Sequence, residues 1–131
     1  MSFYLARTSA GHLVFRSTAT GRTYSHVAVR PAPRALEGRL RDLLELLALP
    51  EDDETRRRRL PIVRRWALGD LTPPATWSSR LDLARRQAAG RAGWEVVEVQ
   101  EVDGPTWRRL RREDLARREA ELDRALAGAR P

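Results

Sequence analysis

Lysine, asparagine and cysteine are absent from this chain of 131 residues, so all 25 of its basic residues are arginine. The joint absence of Lys and Asn, with Ile and Met each used once, is typical of the codon usage of a GC-rich genome and carries no functional information. The absence of Cys excludes a disulfide framework and a thiolate metal site. It is compatible with the reducing cytosol.

Long apolar runs are also absent. No segment approaches the roughly 20 residues that a membrane-spanning helix needs. The first residues, Met-Ser-Phe-Tyr-Leu-Ala-Arg, lack the charged-then-apolar layout of a signal peptide. With 41% hydrophobic residues and four Trp, the chain has enough apolar side chains for a core. We therefore expect a cytoplasmic globular protein without a membrane segment.

The balance of charge is strongly positive. The 25 Arg face 18 acidic residues, which leaves a formal net charge of +7 and a pI near 11.3. Such a pI is typical of a protein that binds a polyanion. Residues 1–50 hold seven Arg and three acids, whereas residues 51–100 hold ten Arg and eight acids. The segment richest in Arg is thus also the more neutralised one.

Two regions have the composition of strands. Residues 3–30 are rich in aromatic and β-branched side chains, and Gly11 and Gly21 permit the positive φ of tight turns. This pattern predicts a β-meander with strands at 3–8, 12–18 and 23–30. Residues 94–102 predict a further strand with apolar side chains on both faces, which is typical of a central strand, a bulge or a strand covered on both sides.

Helical periodicity dominates between and after these strands. A leucine stripe predicts a helix over 34–47, and a second helix is expected to open at Pro50. Pro61 is expected to break that helix and restart it as 61–68, with Ile62, Val63, Trp66 and Ala67 facing inward. A helix from Ser78 or Ser79 to about Ala92 and a last one from Pro105 to about Ala127 complete the set.

The order of elements predicts an α+β fold: a three-stranded antiparallel β-meander plus a returning fourth strand, packed with about five helices. We expect two domains. Residues 1–104 would form an α+β domain, with its sheet from 3–30 and 94–102 and a helical insertion at 33–92. Residues 105–131 would form a C-terminal charged helix.

The densest group of cations is a cluster of six Arg within ten residues, Arg56–Arg59 with Arg64 and Arg65. In a helix that continued through Pro61, Arg57 and Arg58 would lie one heptad before Arg64 and Arg65, in a double column. Such a column can contact successive phosphates. The alternative is internal neutralisation, because Asp52, Asp53 and Glu54 each lie four residues before an Arg of the cluster.

The predicted meander is a second candidate surface. Its strands and turns carry Arg7, Arg16, Arg22 and Arg30, and exposed aromatic side chains of a sheet can stack with bases. Tyr4 and Tyr24 are the best candidates for an exposed sheet face, because a phenol tolerates water. The predicted nucleic-acid-binding residues are therefore Arg56, Arg57, Arg58, Arg64, Arg65, Arg7, Arg16 and Arg22.

The last helix begins with Arg108, Arg109, Arg111 and Arg112, where the positive end of the helix dipole disfavours cations. Arginines at this unfavourable position, without an evident gain in stability, point to a function. The acids that follow, from Glu113 to Asp123, are equally typical of an exposed charged helix or of a dimer interface.

Motifs for catalysis or metal binding are not found. His12 and His26 lack metal-ligand spacing, and no G-x-S-x-G, P-loop or G-x-G-x-x-G occurs. Ser25 and His26 are neighbours without a triad pattern. A metal-dependent nuclease is a weak alternative based on Asp82, Glu95 and Glu98, but the two glutamates would point to opposite faces of a strand. We predict no catalytic residue, no metal and no cofactor.

Two short segments, Thr23–Val29 and Trp77–Ala84, resemble stretches of small proteins from GC-rich bacteria and their phages or plasmids. The resemblance implies no activity and assigns no residue a role. Our hypothesis is a small basic, non-enzymatic accessory protein that binds DNA or RNA through phosphate-directed arginines, with low sequence specificity. The alternative is a protein–protein adaptor or inhibitor of a phage or mobile element, which docks on an acidic partner or dimerises through its C-terminal helix.

Overall fold

A computed structural model describes residues 1–19 and 21–129. Over these residues the chain forms, in order, β1 Ser2–Arg7, β2 Leu13–Thr18, β3 His26–Val29, α1 Glu37–Leu47, α2 Glu54–Asp70, β4 Ala75–Ser78, α3 Leu81–Ala89, β5 Glu95–Glu98, β6 Gln100–Val102 and α4 Gly104–Ala129. The predicted α+β class is confirmed. None of these helices is both long enough and apolar enough to cross a bilayer.

The chain divides into two compact units. The first comprises Met1–Pro33 and Thr72–Asp114, and the second comprises Arg34–Leu71 and the described residues after Asp114. The first unit therefore contains all the strands, together with α3 and the first part of α4. The second contains α1, α2 and the rest of α4. The division into domains at residue 104 stays a prediction.

The strands form two antiparallel sheets rather than one sheet of four. One sheet has the order β2-β1-β6 and the other β4-β3-β5, so β2 and β3 do not pair as a meander would require. The predicted strand at 94–102 divides at Val99, whose N–H donates to the Ser25 carbonyl at 2.9 Å. Residues before Val99 pair with β3 and residues after it pair with β1. The apolar side chains on both faces of this segment are explained by its membership of both sheets.

The strand β4 was not predicted from the sequence. Pro73 and Pro74 restrict the preceding backbone to extended conformations, and Ala75–Ser78 then pairs with β3. Ser78 therefore ends a strand instead of capping a helix. Its hydroxyl accepts from the Arg80 N–H at 3.1 Å and donates to the Arg80 carbonyl at 3.0 Å, and α3 begins only at Leu81.

The core of the first unit lies between its two sheets. Antiparallel register places Ala6 opposite Val14 on one face of the first sheet, and these side chains are buried together with Val27 and Val29 of β3. On the other face of that first sheet, Trp107 of α4 contacts Phe3 and Phe15. The Trp107 indole N–H donates to the Tyr4 carbonyl at 3.0 Å, which fixes the start of α4 on the sheet.

The helix α2 continues through Pro61, contrary to the predicted break. Asp53 caps its first turn by accepting from the Arg56 N–H at 3.1 Å, so the helix begins at Glu54 rather than at Pro50. Pro61 has no N–H to donate, but burial of Val63 and Ala67 after it keeps the chain helical. The free energy of packing exceeds the cost of about 3 kcal/mol that an internal proline imposes.

The core of the second unit is built from leucines of α1, the inner face of α2 and the end of α4. Its buried members are Leu43, Leu46, Val63, Ala67, Leu71, Leu122 and Leu126. Two side chains that were predicted to face inward are instead exposed, Ile62 at 42% and Trp66 at 47%. The periodicity of α2 places them about a quarter turn or more from the buried face.

Candidate nucleic-acid interface

The uninterrupted helix α2 carries the predicted arginine cluster. Residues 55–69 contain six Arg and no acidic residue, and the acids of the helix lie at its two ends, at Glu54 and Asp70. Asp70 is engaged with Arg39 of α1, at 3.1 Å. The body of α2 therefore has no carboxylate of its own to neutralise its guanidinium groups.

Two members of the cluster are engaged within the second unit. The Arg56 guanidinium donates to the Leu49 carbonyl at 2.8 Å and to the Leu47 carbonyl at 3.5 Å, where it satisfies carbonyls at the end of α1. Arg64 forms an ion pair with Asp123 of α4 at 3.2 Å. Both side chains are half-buried, so their geometry already serves the packing of helices.

The other four side chains point into solvent, and we call Arg57, Arg58, Arg59 and Arg65 the cationic surface of α2. All four are exposed. Among the described residues, none of the ion pairs involves them. Arg58 and Arg65 lie one heptad apart, so they lie on the same side of the helix about two turns apart. Arg59 was not among the predicted contact residues, although the sequence placed it in the cluster.

The sequence left open whether acids four residues earlier in the chain pair with the arginine cluster, and the structure shows no such pairing among the described residues. Asp52 precedes the helix, and Asp53 is used as the N-cap. Within the part of the chain that the structure describes, no ion pair joins Asp52, Asp53 or Glu54 to the cluster. The favourable i,i+4 spacing has no effect here, because the helix begins too late for the first two acids to lie on its surface.

An exposed aromatic ring lies beside the cationic surface. The Trp66 indole is approached by the Arg39 guanidinium, which lies 5.1 Å from the ring centroid. Arg39 is in turn held by Asp70. The sequence predicted that this ring faces inward because Trp66 lies three residues after the buried Val63, a spacing that one helix face can share.

The other predicted residues, Arg7, Arg16 and Arg22, belong to the first unit and are all exposed. Arg7 donates weakly to the Gly11 carbonyl at 3.4 Å, within its own turn. Arg16 lies 5.7 Å from the centroid of the Tyr24 ring. The structure thus brings Arg16 together with Tyr24, while Arg7 lies at the opposite end of the β1–β2 pair.

The two tyrosines have different environments. Tyr4 was expected on an exposed sheet face, but it is only 2% exposed, and its hydroxyl donates to the Arg22 carbonyl at 3.2 Å. It is buried because both faces of its sheet are covered. Tyr24 is half-buried. Burial raises its pKa, but hydrogen bonds and charge from the Arg16 and Arg22 guanidinium groups outweigh this and hold the pKa below the ordinary tyrosine value.

This lowered pKa gives a spectroscopic test of the arrangement. In a Tyr4→Phe background, where Tyr24 is the single tyrosine, we expect Arg16→Gln to raise the pKa of Tyr24. The arginines stabilise the phenolate, so their contribution to folding stability exists only in alkaline solution, above the unfolded pKa, and is lost as the pH falls through the folded pKa. The measurement is an absorbance titration of tyrosinate.

Arg7→Gln in the same background is the control for this titration, since it removes one positive charge from the same unit without approaching Tyr24. An unchanged titration curve in the Arg16→Gln variant would contradict the placement of Arg16 against Tyr24.

The arginines at the start of α4 are largely occupied by neighbouring rings and acids. Arg108 lies 5.2 Å from the Phe3 ring centroid and Arg111 lies 5.1 Å from that of Trp107. Arg109 pairs with Glu113 at 3.5 Å. These cation–π contacts offset the unfavourable placement of cations at a helix N-terminus. Packing against aromatic rings therefore explains why arginines lie at the N-terminus of this helix.

Several of the residues considered for catalysis already have side-chain or backbone partners. The Glu95 carboxylate accepts from the Ser9 N–H at 2.7 Å, and Asp82 is paired with Arg80 and Arg86. His26 Nδ1 and the Ser25 hydroxyl are 2.9 Å apart. Among the described residues, no three His, Asp or Glu side chains are grouped so that they could hold a metal ion.

The sequence matches no known protein family, and comparisons with curated proteins and with solved structures found no match.

Proposed function

We propose that this is a small non-enzymatic accessory protein of the cytoplasm that binds nucleic acid, DNA or RNA, through arginines directed at phosphates. The observation that carries the proposal is the cationic surface of α2, where four exposed guanidinium groups lie on a helix whose body contains no acid. A surface of this kind attracts a polyanion without first breaking internal ion pairs.

The spacing of the side chains suits the phosphate backbone. Residues one heptad apart on a helix are separated by about 10 Å along its axis. Phosphates repeat every 3.4 Å or so along the axis of one strand of duplex DNA. Arg58 and Arg65 would therefore contact phosphates about three positions apart, and Arg57 and Arg59 would contact phosphates on either side.

Low sequence specificity follows from the same chemistry. Phosphate contacts fix the position of a protein on nucleic acid but carry no sequence information. Reading a mixed base sequence in the major groove requires several kinds of side chain, such as Asn or Gln on adenine beside Arg on guanine. The cationic surface of α2 offers guanidinium groups alone, and the chain contains no Asn.

Binding should depend steeply on salt. Four phosphate contacts on duplex DNA predict a slope of log K against log salt of about −3.6, which is a loss of about two orders of magnitude in affinity between 50 and 200 mM. Fluorescence anisotropy with labelled duplex and single strands of unrelated sequence measures this. We expect similar affinities for unrelated sequences of one type. An affinity that does not change with salt would refute the proposal.

A second candidate function rests on the exposed Ile62 and Trp66. Apolar side chains bordered by arginines suit a protein partner whose surface combines acids with apolar groups. The chain would then be an adaptor or inhibitor, encoded by a phage or other mobile element, that docks on this partner or dimerises through α4. Size-exclusion chromatography with light scattering, before and after nuclease treatment, separates the two. A stable dimer that carries no nucleic acid favours the adaptor.

A further inference from the structure

A groove in the first unit lies beside Tyr24 and is separate in the sequence from α2. It has a volume of about 450 Å³, and its walls include Arg22, Tyr24, Trp77, Ser79 and Leu83. This volume lies within the range of small-molecule sites. None of the described residues that line it is acidic.

The aromatic wall of the groove is held rigidly. The Tyr24 and Trp77 ring centroids are 5.9 Å apart at an angle of 65°, and Tyr24 also meets the buried Tyr4 edge-to-face at 5.4 Å. Trp77 is anchored by strand pairing with Val27. Tyr4 is buried and hydrogen-bonded to the Arg22 carbonyl, so the Tyr24 ring packs against a neighbour that is itself held in place. The groove is therefore preorganised for a flat ligand.

Positive charge borders this wall. Arg16 and Arg22 are both exposed, and Arg16 lies 5.7 Å from the Tyr24 ring centroid. Among the described residues, neither forms an ion pair with a carboxylate. The lowered pKa of Tyr24 supports the approach of both guanidinium groups to one hydroxyl. Arg22 lines the groove and Arg16 lies against the Tyr24 ring that forms its wall, so both guanidinium groups are placed to reach one phosphate monoester.

We infer that this groove binds a nucleoside monophosphate group, free or at the end of a strand, with its phosphate on Arg16 and Arg22 and its base against Tyr24 and Trp77. A phosphate monoester carries nearly two negative charges at neutral pH, so two guanidinium groups match it better than they match the single charge of an internal phosphodiester. The inference goes beyond the proposed function and does not depend on the cationic surface of α2.

The first test is calorimetric titration with adenosine 5′-monophosphate, adenosine and inorganic phosphate. We expect the monophosphate to bind at least about tenfold more tightly than either fragment, because each fragment loses one half of the contacts. Equal affinity for inorganic phosphate would overturn the nucleotide assignment. No measurable binding of the monophosphate would overturn the site.

The second test uses matched variants. Arg16→Gln with Arg22→Gln should weaken monophosphate binding by about tenfold or more, because charge-assisted hydrogen bonds are lost. Arg85→Gln with Arg112→Gln removes the same charge from exposed positions of the same unit and should leave binding unchanged. Equal weakening by both pairs would overturn the site.

Amide chemical-shift changes provide a measurement that needs no variant, so it does not depend on whether a variant folds. In the wild-type protein, the monophosphate should shift the amides of residues 21–24 and 77–79, and changes confined to α2 would overturn the inference.

The source of the monophosphate is decided in a variant with Arg57, Arg58 and Arg65 replaced by glutamine, so that most of the binding through α2 is lost. If a single strand with a 5′-phosphate binds more tightly than the same strand with a 5′-hydroxyl, the groove takes strand ends. If the two strands bind equally while the free monophosphate still binds, the groove takes free nucleotides. The same variant separates the groove from the cationic surface of α2. If it loses binding of long strands but still binds the monophosphate, the groove is a separate site.

Discussion

Replacement of Arg57, Arg58 and Arg65 together by glutamine should weaken the binding of duplex DNA by about 100-fold to 1,000-fold at 50 mM salt. The three side chains are exposed and form no ion pair among the described residues, so the substitution removes phosphate contacts without leaving an unpaired acid behind. The slope of log K against log salt should become shallower by about 2.7, or about 0.9 for each contact. Fluorescence anisotropy over a series of salt concentrations measures both quantities.

The control for this result removes the same charge elsewhere. Arg85, Arg112 and Arg124 are also exposed and form no ion pair among the described residues. Replacing them by glutamine lowers the net charge of +7 by the same three units. We expect this variant to bind nearly as well as the wild type. If both triple variants lose affinity equally, binding depends on net charge alone, and α2 is not the interface.

Leu122→Ala should destabilise the protein by about 3 kcal/mol. Leu122 is fully buried within the core of the second unit, and truncation of such a leucine removes apolar contacts and leaves a cavity, at a cost of about 2–5 kcal/mol. This is a large part of the roughly 5–15 kcal/mol that stabilises an ordinary domain. Urea denaturation followed by circular dichroism measures the change.

Leu115→Ala is the matched substitution on the same helix. Leu115 is 40% exposed, so its truncation should cost less than about 1 kcal/mol. Equal destabilisation by the two substitutions would show that α4 does not pack through the face that carries Leu122. A selective effect at Leu122 would establish that α4 helps to form the core from which α2 presents its arginines.

The helix α1 shows what local pattern predicts well. Its leucines predicted a helix over 34–47, and the structure has Glu37–Leu47. The helix α4, expected from Pro105, begins at Gly104, where Asp103 accepts from the Thr106 N–H at 2.7 Å. Both helices have local signals, an apolar stripe in one and a capping turn in the other, that do not depend on distant contacts.

The segment 94–102 shows where local pattern fails. Its apolar alternation predicted a strand but not that the strand would serve two sheets, because the pairing partners of Glu95–Glu98 and Gln100–Val102 lie about 70 and 100 residues earlier in the chain. The same holds for β4, which pairs with β3 across the whole helical segment. Strand partners are set by long-range burial, which no local window contains.

The candidate interface depends both on local sequence pattern and on contacts between residues that are distant in the chain. The cluster of arginines and its position before and after Pro61 were visible in the sequence, and so was the possibility of a double column. Whether Arg56 and Arg64 were free was not visible, because their partners are carbonyls at the end of α1 and Asp123 of α4.

By itself the sequence determined the α+β class, the excess of positive charge and the segment where arginine is densest, since these follow from composition and from periodicity along the chain. Only the tertiary structure decided that α2 passes through Pro61 and that four of its arginines stay exposed and form no ion pair with any described residue. The reason is physical: packing of Val63 and Ala67 against neighbouring helices outweighs the local cost of the proline, and the partner of a charged side chain is chosen by the fold rather than by its neighbours in sequence.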